Sequence, residues 1–180
     1  MTTRPVILAA ALAALAFSAA PLDAALVTGV TAPAFVTTGA KAGKPITFDL
    51  TKELKKGPVV LYFFPAAFTP GCSIEAQAFA TAMPKFRKAG ATVVGVTAGN
   101  VDQLTEFSAK TCAGQFPVAA STTKITADYD VAIKGHPKGW TDRTTYVIDR
   151  KGKIVMAYSA MQPQDHIAKS LEAVQALKKG

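Results

Sequence analysis

The chain reads as an α/β domain with a mixed central β-sheet flanked by α-helices, and three observations predict this. Residues 59–64 (VVLYFF) and 91–97 (ATVVGVT) are continuous apolar runs rich in β-branched residues, the composition of strands covered on both faces. After the first run the apolar spacing changes from continuous to helical, with Phe79, Met83 and Phe86 at i, i+4 and i+7. Towards the C-terminus, strands at 144–148 and 153–158 flank the turn Asp149-Arg150-Lys151-Gly152, and a helix after Pro163 carries Ile167, Leu171 and Val174 at the same spacing. Strands that alternate with helices and close on a hairpin build a mixed sheet with helices on both sides.

In chain order, the first 24 residues read as a secretory leader. Arg4 precedes an uncharged run from Pro5 to Leu22, strongly apolar over 6–17, and small residues follow around 19–25. That apolar core is shorter than the ~20 residues of a spanning helix, so cleavage is expected over an uncleaved anchor. Cleavage is expected after Ser18-Ala19-Ala20 or near Ala24, leaving 25–180 as a single domain with no stable membrane insertion. Such a leader places the protein outside the cytosol: the bacterial periplasm first, with a thylakoid lumen or secretion as alternatives. Losing residues 1–24 removes Arg4 and Asp23, so the net charge of +8 belongs to the exported domain. The lysines are scattered and no aromatic-interleaved basic motif occurs, which indicates a solvated basic surface and no nucleic-acid partner.

Residues 27–44 form an extended lead-in and 45–50 an edge strand. Thr69, Pro70 and Gly71 supply turn chemistry between the 59–64 strand and the first long helix, in which Pro84 is expected to kink the chain near Ala80. After the 91–97 strand, Asn100 can cap a helix over 101–112, with Gln103 at the reciprocal capping-box position. A short strand at 115–119, a short helix at 122–131 and a Gly/Pro loop at 134–140 complete the order.

Cys72 stands where strand period gives way to helix period. At a helix N-terminus the unpaired N–H groups and the positive end of the dipole favour a thiolate, the nucleophilic form of cysteine. The same position is also open to a small buried hydrophobe. His136 and His166 are far apart and lack ligand spacing, so neither a metal site nor any cofactor is expected.

The octapeptide from Pro65 to Cys72, PAAFTPGC, resembles the Pro-x-x-x-Thr-x-x-Cys signature of the peroxiredoxins. With Glu75 following, it is most similar to the peroxiredoxin Q, or bacterioferritin-comigratory, branch of this AhpC/TSA-like group. The likeness runs from about Pro45 to the last helix, and Pro33-Ala34-Phe35 resembles the family's opening segment. It implies a thioredoxin-like fold and reduction of hydrogen peroxide and organic hydroperoxides by a Cys72 thiolate. It also implies that the Thr69 hydroxyl and N–H groups near Cys72 bind the peroxide oxygens, that Pro65 shields the thiolate, and that Glu75 orients an arginine. The arginine is Arg143, because Asp142-Arg143-Thr144-Thr145-Tyr146-Val147-Ile148-Asp149 resembles the family's Arg-Ser/Thr-Thr-Phe-x-Ile-Asp segment.

The branch's usual resolving position, five residues after the peroxidatic cysteine, is occupied by Gln77. A second arrangement in the branch puts that cysteine on the following helix, where Cys112 stands. The resemblance thus implies a Cys72–Cys112 disulfide as intermediate, reduction by a thioredoxin-like dithiol protein, and a monomer or weak dimer. Leu104, Ser108 and Cys112 also share a helical stripe, so Cys112 can equally be a core residue. Two other functions stay open: a thiol–disulfide exchanger, although Glu75 fills the second position of its Cys-x-x-Cys, and an exported thioredoxin-like binding domain stapled by Cys72–Cys112.

Overall fold

Strand β3 (Val59–Phe63) is buried at every position and lies inside the sheet, which explains why its sequence is apolar on both alternations. The computed structural model describes residues 25–136 and 140–178; the expected leader and part of the 134–140 loop lie outside them. The elements run β1 (Val36–Lys41), β2 (Lys44–Asp49), α1 (Leu50–Lys56), β3, α2 (Pro70–Lys88), β4 (Thr92–Thr97), a 3-10 turn (Val101–Gln103), α3 (Leu104–Lys110), β5 (Val118–Ala120), α4 (Thr123–Asp128), β6 (Thr144–Ile148), β7 (Ile154–Ser159) and α5 (Gln164–Leu177).

The sheet order is β2-β1-β5-β4-β3-β6-β7, with β3, β4 and β5 parallel and the outer pairings antiparallel. This is the mixed sheet of the thioredoxin-like fold. Alternation along β3 feeds two cores. Val60 and Tyr62 point with Phe64 into the layer under α2, α3 and α5, where Phe79, Met83, Phe86, Phe107 and Val174 pack. Val59, Leu61 and Phe63 face the opposite layer with Leu50 of α1, Ile125 of α4, Tyr129 and Tyr146. Each large side chain removed from water here contributes about 1.5–3 kcal/mol.

Several expectations are corrected. The lead-in over 27–44 contains β1, which meets β2 through Ala42 (φ 51) and Gly43 (φ 76), a two-residue turn whose two left-handed positions match the twist of the flanking strands. The α1 helix has no counterpart in the sequence reading; Asp49 caps it by accepting from Lys52 N at 3.1 Å. Pro70 and Gly71 belong to the first turn of α2, since proline at that position loses no intrahelical bond. Pro84 lies inside this helix, as the apolar spacing predicts, and the helix runs on to Lys88.

Asn100 caps nothing. It is left-handed (φ 54) and spends its side-chain amide on Ala67 O, so the helix over 101–112 becomes a 3-10 turn followed by the shorter α3. The strand expected at 115–119 is Val118–Ala120, because residues 111–116 close the end of α3. In α5 the most buried positions are His166, Ser170 and Val174, leaving Ile167 and Leu171 half-buried. No helix among the described residues is long and apolar enough to cross a membrane.

Candidate active site

Cys72 is the third residue of α2, 1% exposed, at the C-terminal end of β3. The first backbone bond of the turn is Ser73 N to Thr69 O at 2.9 Å, and the N–H groups of the preceding residues point outward, as they do at any helix start. The Thr69 side chain does not cap the helix; its hydroxyl donates to Ala66 O at 3.0 Å, so its lone pairs remain available to accept a hydrogen bond from an O–H group. Pro65 is buried and its carbonyl accepts from the Thr97 hydroxyl at 2.9 Å.

The loop between β3 and α2 is braced by the segment after β4. Ala67 N donates to Gly99 O at 3.2 Å, and Asn100 Nδ2 donates to Ala67 O at 2.9 Å. Gly99 is required by this contact, since a Cβ there would lie 2.4 Å from Pro65 O. The sequence reading missed these supports; Gly99-Asn100 was the available turn signal. Phe68 is held at φ 62, an uncommon conformation for a bulky residue, with its ring edge-on to Phe107 of α3 at 5.2 Å.

Arg143 arrives from the start of β6, and its three side-chain nitrogens are all used. Nε donates to Met161 O at 3.0 Å, Nη1 to Glu75 Oε2, and Nη2 to Cys72 Sγ at 3.5 Å. Gly71 keeps the approach open, because a Cβ there would sit 3.3 Å from Nη2. Glu75, one turn beyond Cys72, is buried, and burial pushes its carboxyl up to about 8 although Arg143 pulls the other way. Five of the six expected residues, Pro65, Thr69, Cys72, Glu75 and Arg143, therefore meet at one end of the sheet; Arg143 touches the sulfur, while Thr69 and Pro65 are engaged with Ala66 and Thr97.

Cys112, the sixth, lies two residues past α3, fully buried in the same core layer as Cys72. Both thiols are free. Burial pushes the Cys112 thiol well above the usual thiol range. Its turn is closed by Cys112 N to Phe107 O at 3.1 Å and Gly114 N to Ser108 O at 2.9 Å, and requires Ala113 at φ 48. Among the described residues no group of three or more His, Cys, Asp or Glu is placed to hold a metal ion.

Residues 28–157 match the AhpC/TSA family. Among curated proteins, the chain is 34% identical over 153 residues to the chloroplastic peroxiredoxin Q of Sedum lineare, covering 83% of this chain and 78% of that one. It is 37% identical over 134 residues to that of Populus jackii, covering 73% of this chain and 61% of the relative. Among solved structures, peroxidoxin BcpB of Mycobacterium tuberculosis aligns with a TM-score of 0.72 at 30% identity, covering 83% of this chain and 97% of that one. Peroxiredoxin Q of Xanthomonas campestris aligns with a TM-score of 0.67 at 26% identity, covering 78% and 90%.

Proposed function

As the chain belongs to the AhpC/TSA family, in its peroxiredoxin Q branch, and is on that ground a thiol-dependent peroxidase, we propose that Cys72 is its peroxidatic residue and Cys112 its resolving one. The observation that carries the first assignment is the Nη2 contact of Arg143 to Cys72 Sγ at 3.5 Å, a buried cation aimed at the sulfur. The thiolate attacks the terminal oxygen of hydrogen peroxide or an organic hydroperoxide. The O–O bond breaks, its electron pair leaves on the departing oxygen, and that oxygen takes a proton to become water or an alcohol. The arginine charge and the N–H groups of the α2 start oppose the negative charge that develops, an effect commonly worth several kcal/mol of barrier. Thr69 accepts from the peroxide O–H, and Glu75 fixes the plane of the guanidinium.

The product is Cys72 sulfenic acid. The Cys112 thiolate then displaces hydroxide from it, forming the disulfide, and a thioredoxin-type dithiol reduces the pair. Cys72 sits in the first turn of α2 and Cys112 beyond the end of α3, so resolution requires at least one of these turns to unwind. A monomer suffices for this cycle. The reading includes a cleaved leader over 1–24, export to the periplasm or an equivalent compartment, and a single domain over 25–180. N-terminal sequencing of the exported protein tests the leader.

Peroxide consumption coupled to thioredoxin tests the whole reading. Cys72→Ser is expected to abolish it, and Cys112→Ser to leave a single turnover that a sulfenic-acid probe traps. A steady-state rate unchanged in Cys112→Ser removes Cys112 as resolver. The alternative of a structural staple predicts no peroxide consumption at all.

A further inference from the structure

Behind the reactive cysteine lies a buried acid–base pair whose proton the steps above leave unused. Glu75 Oε2 is taken by Arg143, whereas Oε1 is buried with no hydrogen-bond partner among the described residues, and the His166 Nδ1 atom lies 3.9 Å from it. Both side chains are 0% exposed. The ring's tautomer follows from its other contact. Nε2 faces Ala160 O at 2.9 Å, and a carbonyl only accepts, so in the neutral ring Nδ1 accepts from the Thr145 hydroxyl at 2.8 Å. Nδ1 thus spends its one lone pair on Thr145, and Glu75 Oε1, 3.9 Å away, is left a buried acceptor without a donor, which is costly. One proton on this pair, as a carboxylic acid or an imidazolium, supplies the missing donor.

The other groups around His166 are Arg143, the Tyr158 ring of β7 at 4.8 Å, Asp165, which accepts from the Tyr158 hydroxyl at 3.2 Å, and Lys169, whose Nζ lies 4.9 Å from the Tyr158 ring centre. We propose that His166 is a positioning residue for the peroxide reaction: with Glu75 it holds one exchangeable proton behind Arg143, and that proton sets how much guanidinium charge is left for the Cys72 sulfur. This inference rests on the peroxidase reading.

While the pair is protonated, Arg143 directs its charge towards Cys72 and the departing oxygen. Once the proton is lost, the Glu75 carboxylate and the Cys72 thiolate compete for one cation, and the attack slows. Burial pushes Glu75 up to about 8 and His166 down to about 4, so at neutral pH the proton resides on Glu75.

The test follows two observables against pH in the wild type, His166→Gln and Thr145→Val. One is the infrared carbonyl band of a protonated buried carboxyl, identified as that of Glu75 by its absence in Glu75→Gln. The other is the single-turnover rate of sulfenic acid formation at Cys72. In His166→Gln the acceptor nearest the carboxyl proton is removed, so its midpoint and the alkaline limb of the rate profile move down together by about one pH unit, tenfold in proton affinity. Thr145→Val frees Nδ1 for Glu75 and moves both up, and a packing defect does not produce opposite signs in the two variants. Should His166→Gln fail to fold, Thr145→Val, which removes only a hydroxyl contact, decides alone. A carboxyl titration unmoved in both variants, or one that moves while the rate limb stays in place, overturns the role of His166. A wild-type protein that forms no sulfenic acid fails differently, removing the peroxidase reading and this role with it.

Discussion

Arg143 reaches Cys72 across 71 residues of sequence, placing Nη2 at 3.5 Å from Sγ while Nη1 holds Glu75 Oε2. Since β6 pairs antiparallel with β3, Thr144 stands opposite Phe63, and the residue before β6 arrives at the end of the sheet where α2 begins. Arg143→Met is expected to slow sulfenic acid formation by about 10²–10³-fold, the usual effect of deleting one preorganised donor. Stopped-flow measurement with circular dichroism as a control reads it; an unchanged rate in a folded variant rejects the arginine's role.

Stability should fall in mildly alkaline solution. Burial holds Glu75 at about 8, whereas a glutamate in the unfolded chain titrates near about 4.3. Between those values the folded state keeps a proton that the unfolded chain has given up, so stability declines as pH rises, by up to about 1.4 kcal/mol per unit. His166, depressed to about 4 by burial, works in the opposite sense up to about 6.5, where an unfolded histidine loses its charge. The two slopes offset each other below that point, leaving Glu75 to act between about 6.5 and 8. Denaturant midpoints are expected to drop across that window and to flatten in Glu75→Gln; an equal slope in both proteins counts against a buried protonated acid.

The Tyr62 hydroxyl is buried without a hydrogen-bond partner among the described residues, above a glycine that leaves room for the ring. A Cβ at Gly95 would lie 2.6 Å from the ring's Cζ and 2.7 Å from the hydroxyl. Gly95→Ala is therefore expected to destabilise by roughly 1–3 kcal/mol. Tyr62→Phe, which deletes an unsatisfied polar atom, is expected to be neutral or stabilising by up to about 1 kcal/mol. Urea unfolding measures both, and a marked loss of stability in Tyr62→Phe would show that the hydroxyl has a use in the folded state.

Oxidation is expected to loosen the domain. Closing a loop of about 40 residues would stabilise by roughly 3–4 kcal/mol if the geometry already suited it. The proposed Cys72–Cys112 bond is expected instead to open the first turn of α2 or the turn after α3; Ala113 at φ 48 in the latter, and Phe68 at φ 62 in the loop before α2, already hold costly backbone conformations. Hydrogen exchange after peroxide treatment should quicken over 72–76 or 104–112. Uniform slowing, with a higher melting temperature, would instead indicate a structural staple.

The sequence by itself determined the α/β class and the position of Cys72 at a helix start, and the likeness to the family named Pro65, Thr69, Glu75 and Arg143 as candidates around it. Local period and a contiguous motif carry those facts, because strands buried on both faces must be apolar throughout and the helix start lies next to its cysteine in the chain. It did not determine α1, the β1–β2 hairpin or the true role of Asn100. A residue that accepts left-handed backbone suits a cap or a brace equally well, and only Ala67 O, brought close by parallel pairing of β3 and β4, decided which. His166 shows the same limit. Read along the chain it was a histidine without ligand spacing beside an apolar stripe. Tertiary packing turned α5 so that His166, Ser170 and Val174 face inward, and thereby set an imidazole 3.9 Å from the Glu75 oxygen that is buried with no hydrogen-bond partner among the described residues.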